Sequence, residues 1–249
     1  MNKQENQTVV SVKNVDMEFN LASEQLNSLK EYFLKLAKGE LHFQKFLALQ
    51  NINLEVKAGE SLALIGVNGS GKSTLLKVIA GVMEPTRGTV QVNGSIAPMI
   101  ELGAGFDMEL TARENIFLNG AVLGHDEKFM AEHFDSIIDF AELRDFVDVP
   151  VKNFSSGMVA RLGFAIATEV PADLLIVDEV LAVGDFRFQE KCRERMQQML
   201  SGGTTLLFVS HSAEQVRELC QKALWLEHGK IKAYGPADEV CKEYENFYV

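Results

Sequence analysis

An α/β fold built on a parallel sheet is predicted by three stretches of this sequence. The apolar run Ser61-Leu62-Ala63-Leu64-Ile65 leads directly into Gly66-Val67-Asn68-Gly69-Ser70-Gly71-Lys72-Ser73 and then into a helical stretch, residues 74–80. Residues 173–178, DLLIVD, form a continuous apolar run that ends on Asp178, as expected for a strand buried on both faces of a parallel sheet. A further apolar strand, TTLLFV at 204–209, follows a helical stretch at 187–200. Strand, helix and strand in alternation are the mark of this fold class.

The other elements follow in order along the chain. Residues 9–19, VVSVKNVDMEF, alternate well enough for a strand. Residues 24–38 carry Leu26, Leu29, Phe33, Leu36 and Ala37 at helical spacing, which predicts a short amphipathic helix. Residues 47–57 return to alternation, and Ala58-Gly59 turn the chain into the strand at 61–65. Strand signals recur at 88–93 and 95–100. Residues 111–169 read as mostly helical, with stops expected near Gly124 and Pro150. Two short strands and a last helix close the sequence. No internal repeat or low-complexity linker interrupts it.

The 249 residues are 47% hydrophobic and 24% charged, enough for one sizeable α/β core or two small lobes. The formal net charge of −11 argues against nucleic acid as a partner, because binding it rests on neutralising phosphates with Lys and Arg. No apolar run is long enough to span a bilayer, and MNKQENQTVV has no signal-peptide core. Cys192, Cys220 and Cys241 are too scattered for a disulfide framework or a zinc site and read as reduced thiols of a cytosolic protein.

The segment Gly66–Ser73 is a G-x-x-x-x-G-K-[ST] phosphate loop in its proper context, after a strand and before a helix. Its glycines let backbone N–H groups turn inward onto a polyphosphate. Lys72 is expected at the β/γ-phosphates and the Ser73 hydroxyl on Mg²⁺, above the positive end of the following helix. The candidate contacts are Gly66, Asn68, Gly69, Ser70, Gly71, Lys72, Ser73 and Thr74. Asp178, at the C-terminal end of its strand, is the second candidate metal group, and Glu179 beside it is a candidate general base. Open parallel sheets bind ligands at that edge. His211, after the strand at 204–209, either bridges a γ-phosphate and the catalytic carboxylate or is simply structural or solvated. Ser155, Ser156 and Gly157 open a helix. They are either an ordinary N-cap or a second phosphate site that serves a nucleotide held by another copy.

Taken together, these motifs resemble those of the nucleotide-binding subunits of ABC transporters. The phosphate loop, the signature segment Phe154-Ser155-Ser156-Gly157-Met158, the Asp178-Glu179 pair, a D-loop at Ala182-Val183-Gly184-Asp185 and His211 stand in that family's order and spacing. The resemblance implies ATP and Mg²⁺ as cofactors and a single domain over 1–249. It further implies a RecA-like core (1–100 and 171–249) with an antiparallel β subdomain, and a helical subdomain at about 101–170. Phe19 falls where the family places the aromatic that stacks on adenine, although a strand-end core position explains it equally well.

Departures from the family pattern narrow the resemblance. Met158 replaces the usual signature glutamine. No Gln lies between Gln91 and Gln189, so Glu101 is the candidate for the Q-loop position and for metal coordination. These variants, an insertion at about 20–46 and the segments 110–115, 181–185 and 225–230 resemble the ATPases of bacterial polysaccharide exporters, for O-antigen, capsule or teichoic acid. That branch implies a head-to-tail dimer of two copies around two ATP, with a separate polytopic membrane permease. It also implies a lipid-linked polysaccharide cargo and a peripheral location at the cytoplasmic face of the cell membrane. The 24–38 helix is expected either to dock on the permease or bilayer, or to pack on the ATPase core.

Overall fold

The side chains that alternate along the N-terminal strands explain the smaller of two sheets. In the computed structural model, which describes residues 7–22, 43–99, 103, 105–178 and 184–248, β1 (Thr8–Ala22) buries Val10, Val12, Val15 and Met17. It lies between β2 (Phe43–Lys57) and β4 (Arg87–Val92), antiparallel to both. The ladder is longer than the alternation suggested. β1 runs three residues past Phe19 to Ala22, and β2 starts at Phe43, ahead of residue 47. The ends of the region expected as an insertion are therefore paired strand, while the helix expected at 24–38 lies outside the described residues.

The six-stranded sheet has the order β5-β6-β7-β3-β8-β9. Its members are β3 (Ser61–Ile65), β5 (Ile96–Met99), β6 (Leu174–Asp178), β7 (Thr205–Val209), β8 (Lys222–Glu227) and β9 (Lys230–Pro236). All neighbours are parallel except β8 and β9, which form an antiparallel hairpin. The two strands expected at 88–93 and 95–100 are both present but belong to different sheets. The crossing is made at Gly94 (φ 116°) and Ser95, whose N–H and hydroxyl both donate to Asp173, at 2.8 and 3.0 Å.

The period of two divides the parallel strands between two cores. Leu62, Leu64, Ile176, Leu207 and Val209 face β1, β2 and α1 (Lys72–Ile79), which buries Leu75, Leu76, Val78 and Ile79. Ala63, Ile65, Leu175, Val177, Leu206 and Phe208 face the helices of the other layer. Those are α2 (Ala112–Val122), α3 (Glu127–Ala141), α4 (Ser156–Glu169) and α5 (Phe186–Ser201).

The helical stretch is divided by local chemistry. Thr111 and Glu114 form a reciprocal capping box at the start of α2, which ends before Gly124 (φ 91°), as expected. Asp126 caps α3. That helix ends at Glu142 (φ 59°), well before Pro150, and two single turns of 3₁₀ helix, Arg144–Phe146 and Val151–Asn153, lead to α4. A short helix, α6 (Ala213–Leu219), has no counterpart in the sequence reading. The last helix, α7 (Ala237–Tyr248), covers Trp225 of β8. This indole is fully buried, with Tyr244, Phe247 and Tyr248 at 5.3, 5.2 and 6.2 Å and the Lys232 ammonium 4.1 Å above its ring.

Candidate functional site

Strand order brings the candidate residues together. β6, β7 and β3 are adjacent and parallel, so their C-terminal ends share one edge of the sheet. Asp178 ends β6 opposite Val209, His211 follows β7, and the phosphate loop follows β3. Asp178 and the loop, far apart in sequence, thereby meet on one wall of a cavity of about 400 Å³.

The loop has the shape its glycines allow. Gly66, Gly69 and Gly71 have φ of 148°, 78° and 110°, a region other residues rarely adopt. A Cβ on Gly66 would fall 2.3 Å from the carbonyl oxygen of Leu226, and one on Gly71 would fall 2.7 Å from that of Ala48. Gly71 is also the N-cap of α1 and offers the helix no side-chain acceptor. The first-turn N–H groups, which have no acceptor inside a helix, are thus left for an anion. No acidic side chain lies in that turn. Lys72 is buried and donates to the carbonyl oxygens of Gly66 (2.8 Å) and Val67 (3.1 Å), which holds its ammonium against the loop.

Asn68, Gly69, Gly71, Lys72, Ser73 and Thr74 line the cavity from the loop side. Asp178 and His211 line it from the sheet, and Phe19 lines it from β1. Phe19 also packs against the core, as a strand-end core position would. Gly66 and Ser70 are not on the cavity surface; Ser70 is buried beneath the loop, its hydroxyl without a hydrogen-bond partner among the described residues. The turn carrying His211 is fixed by Ser210, whose hydroxyl donates to Gln215 at 2.8 Å and accepts from the Ser212 N–H at 3.0 Å. Sequence reasoning missed that turn, and it also missed Phe46 and Ala48 of β2, which complete the cavity wall.

Ser155, Ser156 and Gly157 do not reach this cavity. They form the N-terminus of α4, where Ser155 accepts from the Met158 N–H at 3.2 Å and both serines are exposed. Asp185 caps α5. The Phe188 N–H, with the Arg161 guanidinium 2.9 Å away, outweighs desolvation and holds its carboxyl below the ordinary value. Glu101, Glu179, Ala182 and Val183 lie outside the described residues.

The donors suit Mg²⁺. Ser73 and Asp178 offer oxygen ligands on the same cavity. Among the described residues no group of three or more His, Cys, Asp or Glu could form a closed protein cage. Mg²⁺ can be held by one or two protein oxygens, since waters and phosphate oxygens fill most of its shell. Among the described residues no helix is long and apolar enough to cross a membrane.

Comparison with known proteins agrees with this geometry. Residues 49–182 match the ABC transporter family model. The O-antigen export system ATP-binding protein RfbB of Klebsiella pneumoniae is 42% identical over 239 residues, covering 95% of this chain and 97% of its own. The teichoic acids export ATP-binding protein TagH of Bacillus anthracis is also 42% identical over 96% of this chain, which spans 42% of TagH. Among solved structures, the post-hydrolysis dimer of the ATP-binding cassette MJ0796 bound to ADP and Pi shares the fold. It does so at a TM-score of 0.73 and 21% identity, covering 92% of this chain and 98% of that one. Phosphate loop, strand-end carboxylate and near full-length relatives converge: this chain belongs to the ABC transporter family, as an ATP-binding subunit with ATPase chemistry.

Proposed function

We propose that this subunit hydrolyses ATP to drive export of a lipid-linked polysaccharide through a separate membrane permease, at the cytoplasmic face of the cell membrane. The observation that carries the cargo assignment is the match to RfbB along nearly the whole of both chains. TagH, named for teichoic acid export, supports a polymer of sugars or sugar-like units in general.

Two copies close head to tail around two ATP. The exposed Ser155–Gly157 terminus, which has no place in its own cavity, supports a contact with nucleotide on the other copy. Phe19 lies along the base; Asn68, Gly69, Ser70, Gly71 and Thr74 shape the loop around the phosphates, and Lys72 offsets charge that develops on the γ-phosphate. Glu179 polarises the attacking water and His211 orients it. Ser73 and Asp178 would hold Mg²⁺, which supplies charge neutralisation when bound. Glu101 takes the Q-loop position. The loop around 101–109 and the helices after it face the permease.

Glu179→Gln should retain ATP binding and lose most turnover, measured as phosphate release from protein co-expressed with its permease. Near-normal hydrolysis would remove Glu179 as the base. Stimulation of wild-type turnover by a lipid-linked glycan supports the polysaccharide cargo; turnover that ignores every glycan while needing Glu179 overturns it in favour of another cargo.

A further inference from the structure

Phe46 has no assigned role, and its position asks for one. It is 47% exposed and lines the phosphate-loop cavity together with Phe19. The two are direct partners across the β1–β2 ladder, so both side chains project from the same face of the sheet. Their neighbours Glu18 and Lys45 pair at 2.7 Å, which satisfies the adjacent charges with each other.

The placement of Phe46 against the phosphate loop is fixed. Ala48, two residues along β2 at a register irregularity of the ladder, also lines the cavity. Its carbonyl sits so close to Gly71 and Gly229 that a Cβ on either would fall within 2.7 and 2.6 Å of it. The β2 backbone is thus seated on the start of α1, which fixes the strand that carries Phe46 against the phosphate loop. Both rings therefore line the same cavity as the phosphate loop, on the side of the β1–β2 ladder.

We propose that Phe46 and Phe19 together form the base platform, with Phe46 a second stacking residue for the aromatic base of a nucleoside triphosphate. This rests on the reading of the cavity as the ATP site. Stacking is indifferent to the phosphates, so Phe46 acts on the base alone.

The test is equilibrium binding of ATP and of inorganic tripolyphosphate to wild type, Phe46→Ala, Phe19→Ala and Phe46→Trp. Phe46→Ala should weaken ATP by about tenfold, leave tripolyphosphate unchanged, and be rescued by Phe46→Trp. Unchanged ATP affinity in Phe46→Ala, with loss in Phe19→Ala, overturns the proposal and leaves the ATP site standing. Equal loss of ATP and tripolyphosphate in Phe46→Ala also overturns it, because the ring then supports the loop and not the base. Failure of wild type to bind either probe removes the ATP site itself, and the platform with it.

Discussion

Gly71 meets two demands at once. Its φ of 110° shapes the phosphate loop, and its missing Cβ lets β2 approach, with the Ala48 carbonyl only 2.7 Å from where that atom would stand. Gly71→Ala should therefore lower the melting temperature and abolish ATP binding, because relief of the clash moves the loop. Gly69→Ala is the contrasting case. It carries backbone strain (φ 78°), but its Cβ would meet nothing within 4 Å, so calorimetry should find a smaller loss of stability. The loop was legible in sequence because each residue type in it answers a local requirement. Phe46 was not: its partner Phe19 lies across a ladder whose connecting residues say nothing about register. A phenylalanine at a strand end gives no sign of whether it faces a core or a cavity.

Among the elements, β3 owes its start to Glu60. Desolvation alone would raise this carboxyl, but the Lys222 ammonium and the Lys57 N–H outweigh it and hold the group below its ordinary value. The tie joins the beginnings of β3 and β8, which are neighbours in the sheet. A carboxyl lowered by folding stabilises the fold above the unfolded value, near pH 4.5, and that contribution is lost as pH falls through the lower folded value. The melting temperature should thus drop on acidification below about pH 4.5. Glu60→Gln should show a smaller drop across that range while melting lower at pH 7. An identical pH profile in the variant would mean that other carboxylates set the acid limit.

Element boundaries were readable where the breaking residue advertises itself and hidden where it does not. Gly124 closes α2 as its type suggests, whereas α3 closes on Glu142, a glutamate held at φ 59° whose carboxylate meets Arg161 at 3.1 Å. Nothing in a run of helix formers marks that stop. The switch of β4 and β5 between sheets depends on Asp173, a residue far along the chain that takes both donors of Ser95, so no local pattern announces it. The parallel strands were legible for the opposite reason. Burial on both faces demands continuous apolar runs, and DLLIVD and TTLLFV are such runs.

At the scale of the whole molecule, packing decides the behaviour of the thiols. Cys192, Cys220 and Cys241 are all buried. Desolvation pushes the Cys192 thiol up to about 12, and Cys220 and Cys241 are raised as well. The thiolate is the reactive form, so all three should resist a disulfide reagent such as Ellman's in the native protein. All three should react in denaturant, and rapid native labelling would show that the packing over one of them opens.

The contacts around Trp225 also give the protein an optical signature. It is the sole tryptophan of the chain, fully buried, with no hydrogen-bond partner for its indole N–H among the described residues, and it lies beneath α7 with two tyrosines within energy-transfer range. Light absorbed by Tyr244 or Tyr248 should emerge as blue-shifted indole emission. Peeling α7 from the sheet would remove the donors and admit water in one motion, so a single emission band reports whether the C-terminal helix is seated while the nucleotide edge is free to do its work.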